Sequence, residues 1–199
     1  MKDVSQFGEY TILKNYFQSN TPKYKYLVDI GAKGKTLSNT YNLIKESKWK
    51  GILIEPSSIN FKNLQELYTK TEITLVKQAV ADFNGFSSLY ISDKKGWHSL
   101  IRKTDKRETV KVSTLPIILK NYKVAHDFDL LDIDAEGMDY RICKYMFQKS
   151  EYRPRVIIIE KGIKKDKIKN LFEKNQYRIL KETKANYIWI KERKINNEN

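Results

Sequence analysis

Four carboxylates fall within eight residues of "LDIDAEGMDY", namely Asp132, Asp134, Glu136 and Asp139. A carboxylate within hydrogen-bond reach of a hydroxyl can accept its proton, and two such groups can divide the work of base and anchor. Asp134 closes an apolar run and is the candidate base or acceptor anchor, with Glu136 positioning the acceptor; a capping role for Glu136 before the next helix stays open. His98, in "GWHSL", has an ordinary pKa near neutrality and is a further catalytic candidate in its loop. A second stretch, "VDIGAKGKTLSNT" at 28–40, follows another apolar run and contains Gly34-Lys35-Thr36. A phosphate-cradling loop would need glycine where Asp29 stands, and a dinucleotide fingerprint would need three spaced glycines where this stretch has Gly31 and Gly34.

What remains is a strand ending in Asp29 and then Gly31, Ala32 and Gly34, a turn that lets the main chain approach the zwitterionic tail of an amino acid. About 20 to 25 residues further on, an acidic residue at a strand end is placed to bind ribose hydroxyls. Glu55, followed by Pro56, fills that position. Asp82, preceded by Ala81, ends the next apolar run and is placed to accept from an adenine amino group. The ordered set describes a pocket for S-adenosylmethionine, although each residue alone is equally explained as a turn former or helix cap.

These residues must be held by an alternation of strands and helices. Strands are expected at 24–30, 51–56, 73–82, 128–134 and 155–161, with helices at 37–47 and 59–68 and after Gly137 and Gly162. Ser57 or Ser58 suits the cap of the second helix. "SSLYIS" and "TVKVST" read as short antiparallel pieces, and the chain closes with "YRILKE" and "NYIWIKE" as a hairpin around "TKAN". Such a pattern predicts an α/β three-layer sandwich, a mainly parallel sheet covered on both faces with an antiparallel C-terminal hairpin. Ligands of these sheets bind at the carboxyl ends of the strands, which puts Asp29, Glu55, Asp82, Asp134 and Glu160 along one edge.

The sequence of 199 residues is read as one domain over 1–194, with a disordered tail at 195–199. It contains no apolar run of bilayer length, and its N-terminus has no secretory signal, so a cytoplasmic protein without a membrane span is expected. The single cysteine, Cys143, suits a buried apolar position, and no His/Cys spacing calls for a metal. The 38 Lys and Arg against 24 Asp and Glu leave +14, which favours an anionic partner.

With these motifs in hand, the chain resembles the FkbM family of S-adenosylmethionine-dependent methyltransferases from about residue 5 to 161. The resemblance rests on "SQFGEY", "VDIGAKGKTLSNT", "WKGILIEPSSINFKNL", "QAVAD", "GWHSL", "STL", "FDLLDIDAEGMDY" and "PRVIIIE", in that order. It implies a Rossmann-like class I methyltransferase fold with a seven-stranded sheet, and methyl transfer to a hydroxyl of a sugar, glycan or glycosylated small molecule. The cofactor roles carry over to Asp29, Gly31, Glu55 and Asp82. Family members usually have Asn-Asp-Gly where this chain has Lys33-Gly34-Lys35, and an Asp where it has Tyr10. Trp97, Glu160 and Lys161 are the candidates for binding the acceptor, Trp97 as a stacking platform.

Two other readings stand beside this one. Lys14, Asp134, Lys161 and Glu182 can be fitted to the lysine, aspartate, lysine and glutamate of RNA ribose 2′-O-methyltransferases. The altered Lys33-Gly34-Lys35 segment is also compatible with an inactive domain that only binds an anionic glycan or nucleic acid.

Overall fold

The computed structural model describes residues 2–93, 98–162 and 164–192. Its elements in chain order are α1 Glu9–Ser19, β1 Tyr26–Ile30, α2 Tyr41–Ser47, β2 Lys50–Ile54, α3 Ser58–Leu67, β3 Ile73–Val76, β4 Ala79–Ala81, β5 Gly85–Tyr90 and β6 Arg107–Thr114. They continue with α4 Leu115–Asn121, β7 Leu130–Ile133, α5 Asp139–Lys149, β8 Val156–Glu160, α6 Lys165–Lys174, β9 Tyr177–Glu182 and β10 Asn186–Lys191.

Seven strands form one sheet in the order β3-β2-β1-β7-β8-β10-β9. The pairs among β3, β2, β1, β7 and β8 are parallel, and β10 runs antiparallel to both β8 and β9. The apolar runs of the central strands are explained by burial on both faces. Val28, Ile54, Leu131 and Ile157 pack in one layer with Ile118 of α4, Ile142 of α5 and Phe172 of α6. Their chain neighbours Leu27, Leu53, Leu130 and Ile158 face the other way, with Leu13 of α1, Ile44 of α2 and Leu64 of α3. This is the expected three-layer arrangement with its C-terminal hairpin. At the base of the sheet, the buried Asp129 accepts from the amides of Lys23 and Tyr24 and from the Arg155 guanidinium, at 2.6, 2.7 and 2.8 Å.

The structure corrects two elements. The helix expected from residue 37 begins at Tyr41, because the Ser38 hydroxyl accepts from the amides of Thr40 and Tyr41 and turns the chain there; Leu37 stands 59% exposed rather than on the apolar face. The strand expected over 73–82 is two strands. β3 stops at Val76, where the Gln78 amide folds back onto the Val76 carbonyl at 3.2 Å, and β4 leaves for a separate sheet of order β4-β6-β5. The antiparallel pieces of that second sheet are β5 and β6.

From β1 the chain winds outward through β2 to β3, then returns to the other side of β1 as β7. The crevice between the carboxyl ends of β1 and β7 is the switch point at which sheets of this kind bind ligands. No helix among the described residues is long and apolar enough to cross a membrane.

Candidate active site

A hollow of about 480 Å³, counted with its mouth, opens at that switch point. Gly31 and Lys33 form its edge after β1, Glu55 and Pro56 after β2, and Asp134 and Glu136 after β7. Gly31 has φ +83°, and its amide donates to the Ile54 carbonyl at 2.9 Å. A side chain there would meet the backbone carbonyl of Asp134, so glycine is what allows the β1 and β7 turns to touch.

Glu55 is 3% exposed and accepts from the Ser57 amide at 2.7 Å. Burial pushes its carboxyl up to about 8, against the opposing pull of the Ser57 amide, Lys33 and Asn60. The free protein therefore holds this acid mainly protonated at neutral pH. Asn60, from the first turn of α3, lines the hollow beside it. Ser57, at the start of α3, makes no side-chain cap, and Ser58 instead donates its hydroxyl to Glu108 at 2.6 Å.

Asp134 and Glu136 share one cation. Lys33 Nζ lies 2.8 Å from Asp134 Oδ2 and 3.2 Å from Glu136 Oε1, and Arg102 Nη1 lies 3.3 Å from Glu136 Oε2. Burial works against the Lys33 charge, but Asp134 and Glu136 outweigh it and raise the lysine above its usual value. Asp139, the first residue of α5, accepts from the amides of Ala135 and Gly137 in the turn before it at 3.0 and 3.1 Å, and the N-cap position Met138 supplies no side-chain bond to the helix. Glu136 lines the hollow on a backbone of φ +46°.

Asp29 stands behind the hollow rather than in its lining. It is 6% exposed, accepts from the Thr40 hydroxyl at 2.6 Å, and pairs in register with Asp132, which accepts from Asn39 at 3.2 Å. Burial pushes both carboxyls up, and Asp29 adds to the rise at Asp132, as expected for neighbouring acids that cannot both ionise freely. Ala32 is buried and Gly34 has open space beside it; neither lines the hollow.

The third expected carboxylate is elsewhere. Asp82 is paired with Arg141, whose Nε donates to Oδ2 at 2.9 Å, and Ala81 is packed in the core. The break between β3 and β4 causes this, because it brings Gln78, Ala79 and Val80 to the hollow and carries the next residues past it. His98 does line the hollow; its Nδ1 accepts from the Ser92 amide at 3.2 Å, and burial lowers its pKa, so the imidazole is neutral near pH 7. Trp97 lies outside the described residues. Glu160 sits half-buried at the tip of β8, and Lys161 pairs with Glu182 at 2.7 Å.

The sequence reading missed Asn60, Gln78 and Arg102 and treated Lys33 only as a departure from a pattern. Asn60 had a legible signal, since it lies in the first turn of a helix following a strand-end acid. Gln78 and Arg102 had none, because a strand break and a long-range pair bring them in.

Among solved structures, a methyltransferase FkbM from Methylobacillus flagellatus KT matches with a TM-score of 0.54 and 19% identity, covering 94% of this chain and 48% of the other. A putative RNA methyltransferase from Pyrococcus horikoshii matches with a TM-score of 0.51 and 13% identity, covering 98% and 88%. A putative methyltransferase from Escherichia coli does so with a TM-score of 0.51 and 8% identity, covering 96% and 89%. At these identities the likeness is one of fold, and the chain spans about half the length of the Methylobacillus protein. No curated protein matches the chain. The family model for the methyltransferase FkbM domain, however, matches residues 29–179, most of the sheet and the whole hollow edge, and the chain belongs to the methyltransferase FkbM domain family.

Proposed function

We propose that this protein transfers a methyl group from S-adenosylmethionine to a hydroxyl of a sugar, glycan or glycosylated small molecule. The observation that carries the reading is the buried Glu55 carboxyl facing the switch-point hollow beside the Gly31 turn. A carboxylate with lone pairs still open suits a vicinal diol, and the close turn at Gly31 admits an amino-acid tail against the backbone. These residues fit the cofactor: Glu55 and Asn60 would hold the ribose, the backbone at Gly31 the methionine end, and Gln78 with the apolar Val80, Leu89 and Leu100 the adenine. When bound, the cofactor supplies a methyl on a cationic sulfur, already activated for displacement. The protein's part is to align the acceptor and receive its proton. Asp134 and Glu136 offer acceptor oxygens to sugar hydroxyls at the mouth, Arg102 and the net charge of +14 suit an anionic acceptor, and His98 can hold a hydroxyl through its neutral ring.

Calorimetry with S-adenosylmethionine and with S-adenosylhomocysteine tests the cofactor half. Binding in the micromolar range is expected, and absence of heat and of thermal stabilisation at millimolar ligand would point instead to an inactive domain. The acceptor half is tested with labelled cofactor and a panel of methyl glycosides. The Lys161–Glu182 ion pair favours the RNA reading as a second possibility, whereas Lys14 lies exposed on α1. Short-RNA binding that weakens steeply with salt would support that reading, and binding indifferent to salt would count against it.

Lys33 places a positive charge where a cationic cofactor must come. Replacing it in Lys33→Met should tighten S-adenosylmethionine by roughly tenfold, about 1.4 kcal/mol. S-adenosylhomocysteine, which lacks the sulfonium charge, should gain less. Paired calorimetric titrations of the two ligands measure that difference, and equal gains would refute the electrostatic account.

A further inference from the structure

Resting on the methyltransferase reading, we infer that Glu160 is the group that takes the proton from the acceptor hydroxyl. The acids at this edge of the sheet are nearly all committed. Asp29 accepts from Thr40, Asp132 from Asn39, Glu55 from the Ser57 amide, and Asp139 from two amides of its own turn. Asp134 and Glu136, the sequence's first candidates, are bound to the Lys33 ammonium, and Glu136 also to Arg102. With their oxygens turned to these cations, both carboxylates have fewer lone pairs left for a hydroxyl donor.

Glu160 differs. Its carboxyl has no hydrogen bond or ion pair with the described residues, and the adjacent Lys161, its natural partner, is taken by Glu182. It stands at the tip of β8, and the parallel register that pairs Ile133 with Ile159 brings it level with Asp134 at the tip of β7. Its lone pairs are therefore free for a hydroxyl donor beside the hollow. The surroundings also suit a base working near neutrality. Partial burial, with Asp134, Asp139 and Glu136 facing it, pushes the carboxyl up to about 7, and Arg102 pulls only weakly the other way. In the step, a lone pair of the acceptor oxygen forms the new bond to the methyl carbon, and the carbon–sulfur bond breaks with its electrons going to sulfur. The hydroxyl proton passes to Glu160 and then to solvent.

The test combines a titration with transfer kinetics on the full chain. With S-adenosylhomocysteine bound and glutamate labelled with ¹³C at its carboxyl, the resonance absent from Glu160→Gln should titrate near 7; a midpoint below about 5 overturns the assignment. Transfer to methyl glycosides should fall on the order of 10²- to 10⁴-fold in kcat for Glu160→Gln, with KM and S-adenosylhomocysteine affinity within about twofold. Glu160→Asp should recover part of the loss. In wild type, kcat should rise with pH through about 7 and then level, and Glu160→Gln should lack that limb. Transfer by Glu160→Gln within about threefold of wild type overturns the inference. If no glycoside is methylated, the sugar reading fails and the titration alone decides Glu160. If wild type binds no S-adenosylhomocysteine, the cofactor reading fails and the inference falls with it.

Discussion

Glu55→Ala is expected to lower affinity for S-adenosylmethionine by roughly two to three orders of magnitude. Hydrogen bonds to an ionised group contribute about 1.5–3 kcal/mol each, and a carboxylate that takes both ribose hydroxyls makes two of them. Glu55→Gln keeps the shape and an acceptor oxygen, so a smaller loss of roughly 30-fold is expected, by the same arithmetic. The pH dependence adds a second signature. In the free protein this acid is raised from 4.5 to about 8, so the folded state holds its proton more tightly than the unfolded chain does. The stability due to that proton is complete below 4.5 and is lost as pH climbs to about 8. Cofactor binding runs the opposite way. It uses the ionised form, so affinity should rise by up to tenfold per pH unit below about 8 and then flatten. Calorimetry from pH 6.5 to 9 measures this, and Glu55→Gln should lose the slope. An unchanged affinity in Glu55→Ala would remove this residue from the cofactor site.

Glu55 was legible because its evidence is local: a β-branched run, an acid at its end and a proline that stops the strand. The same reasoning failed at Asp82. Nothing in 73–82 distinguishes one strand from two of four and three residues in different sheets, because the outcome depends on whether β2 or β6 is the partner. The Asp134–Glu136 pair was found from spacing, yet the cation it holds was not. That cation is a lysine 101 residues from Asp134 in sequence, whose reach into the hollow depends on how β1 and β7 lie side by side. Helix α1 shows a signal that was present and passed over, since Tyr10, Leu13 and Phe17 recur at helical spacing and all are buried. What ties that helix to the far end of the chain was not readable: the fully buried Glu9 accepts from Thr183 and Asn186, both at 2.9 Å. Local pattern thus located strands and most strand-end acids, and the groups those acids bind came from tertiary pairing.

Gly31→Ala is expected to destabilise the protein by about 4 kcal/mol and to remove cofactor binding with it. Two costs combine. The backbone at φ +83° is one that side chains rarely adopt, and the added Cβ would lie 2.0 Å from the Asp134 carbonyl oxygen. Neither atom can yield by rotating a side chain, because the Cβ is fixed by the backbone at position 31 and the oxygen is main chain, both just past the ends of β1 and β7. The Gly31 amide is bonded to Ile54, and the Asp134 amide to the Ile30 carbonyl at 2.9 Å. Relief requires the β1 and β7 turns to part, which opens the edge on which the methionine end of the cofactor rests. For a chain of this size 4 kcal/mol corresponds to a fall in Tm of roughly 8–16 °C. Gly34→Ala is the control, because Gly34 also has positive φ, +136°, but nothing within 4 Å of an added Cβ. It should lose only the conformational part, about 1 kcal/mol, and keep cofactor affinity within a few-fold. Thermal melts of the two variants side by side separate strain from contact. Equal losses would mean that the closeness of the two turns is not what glycine protects at position 31.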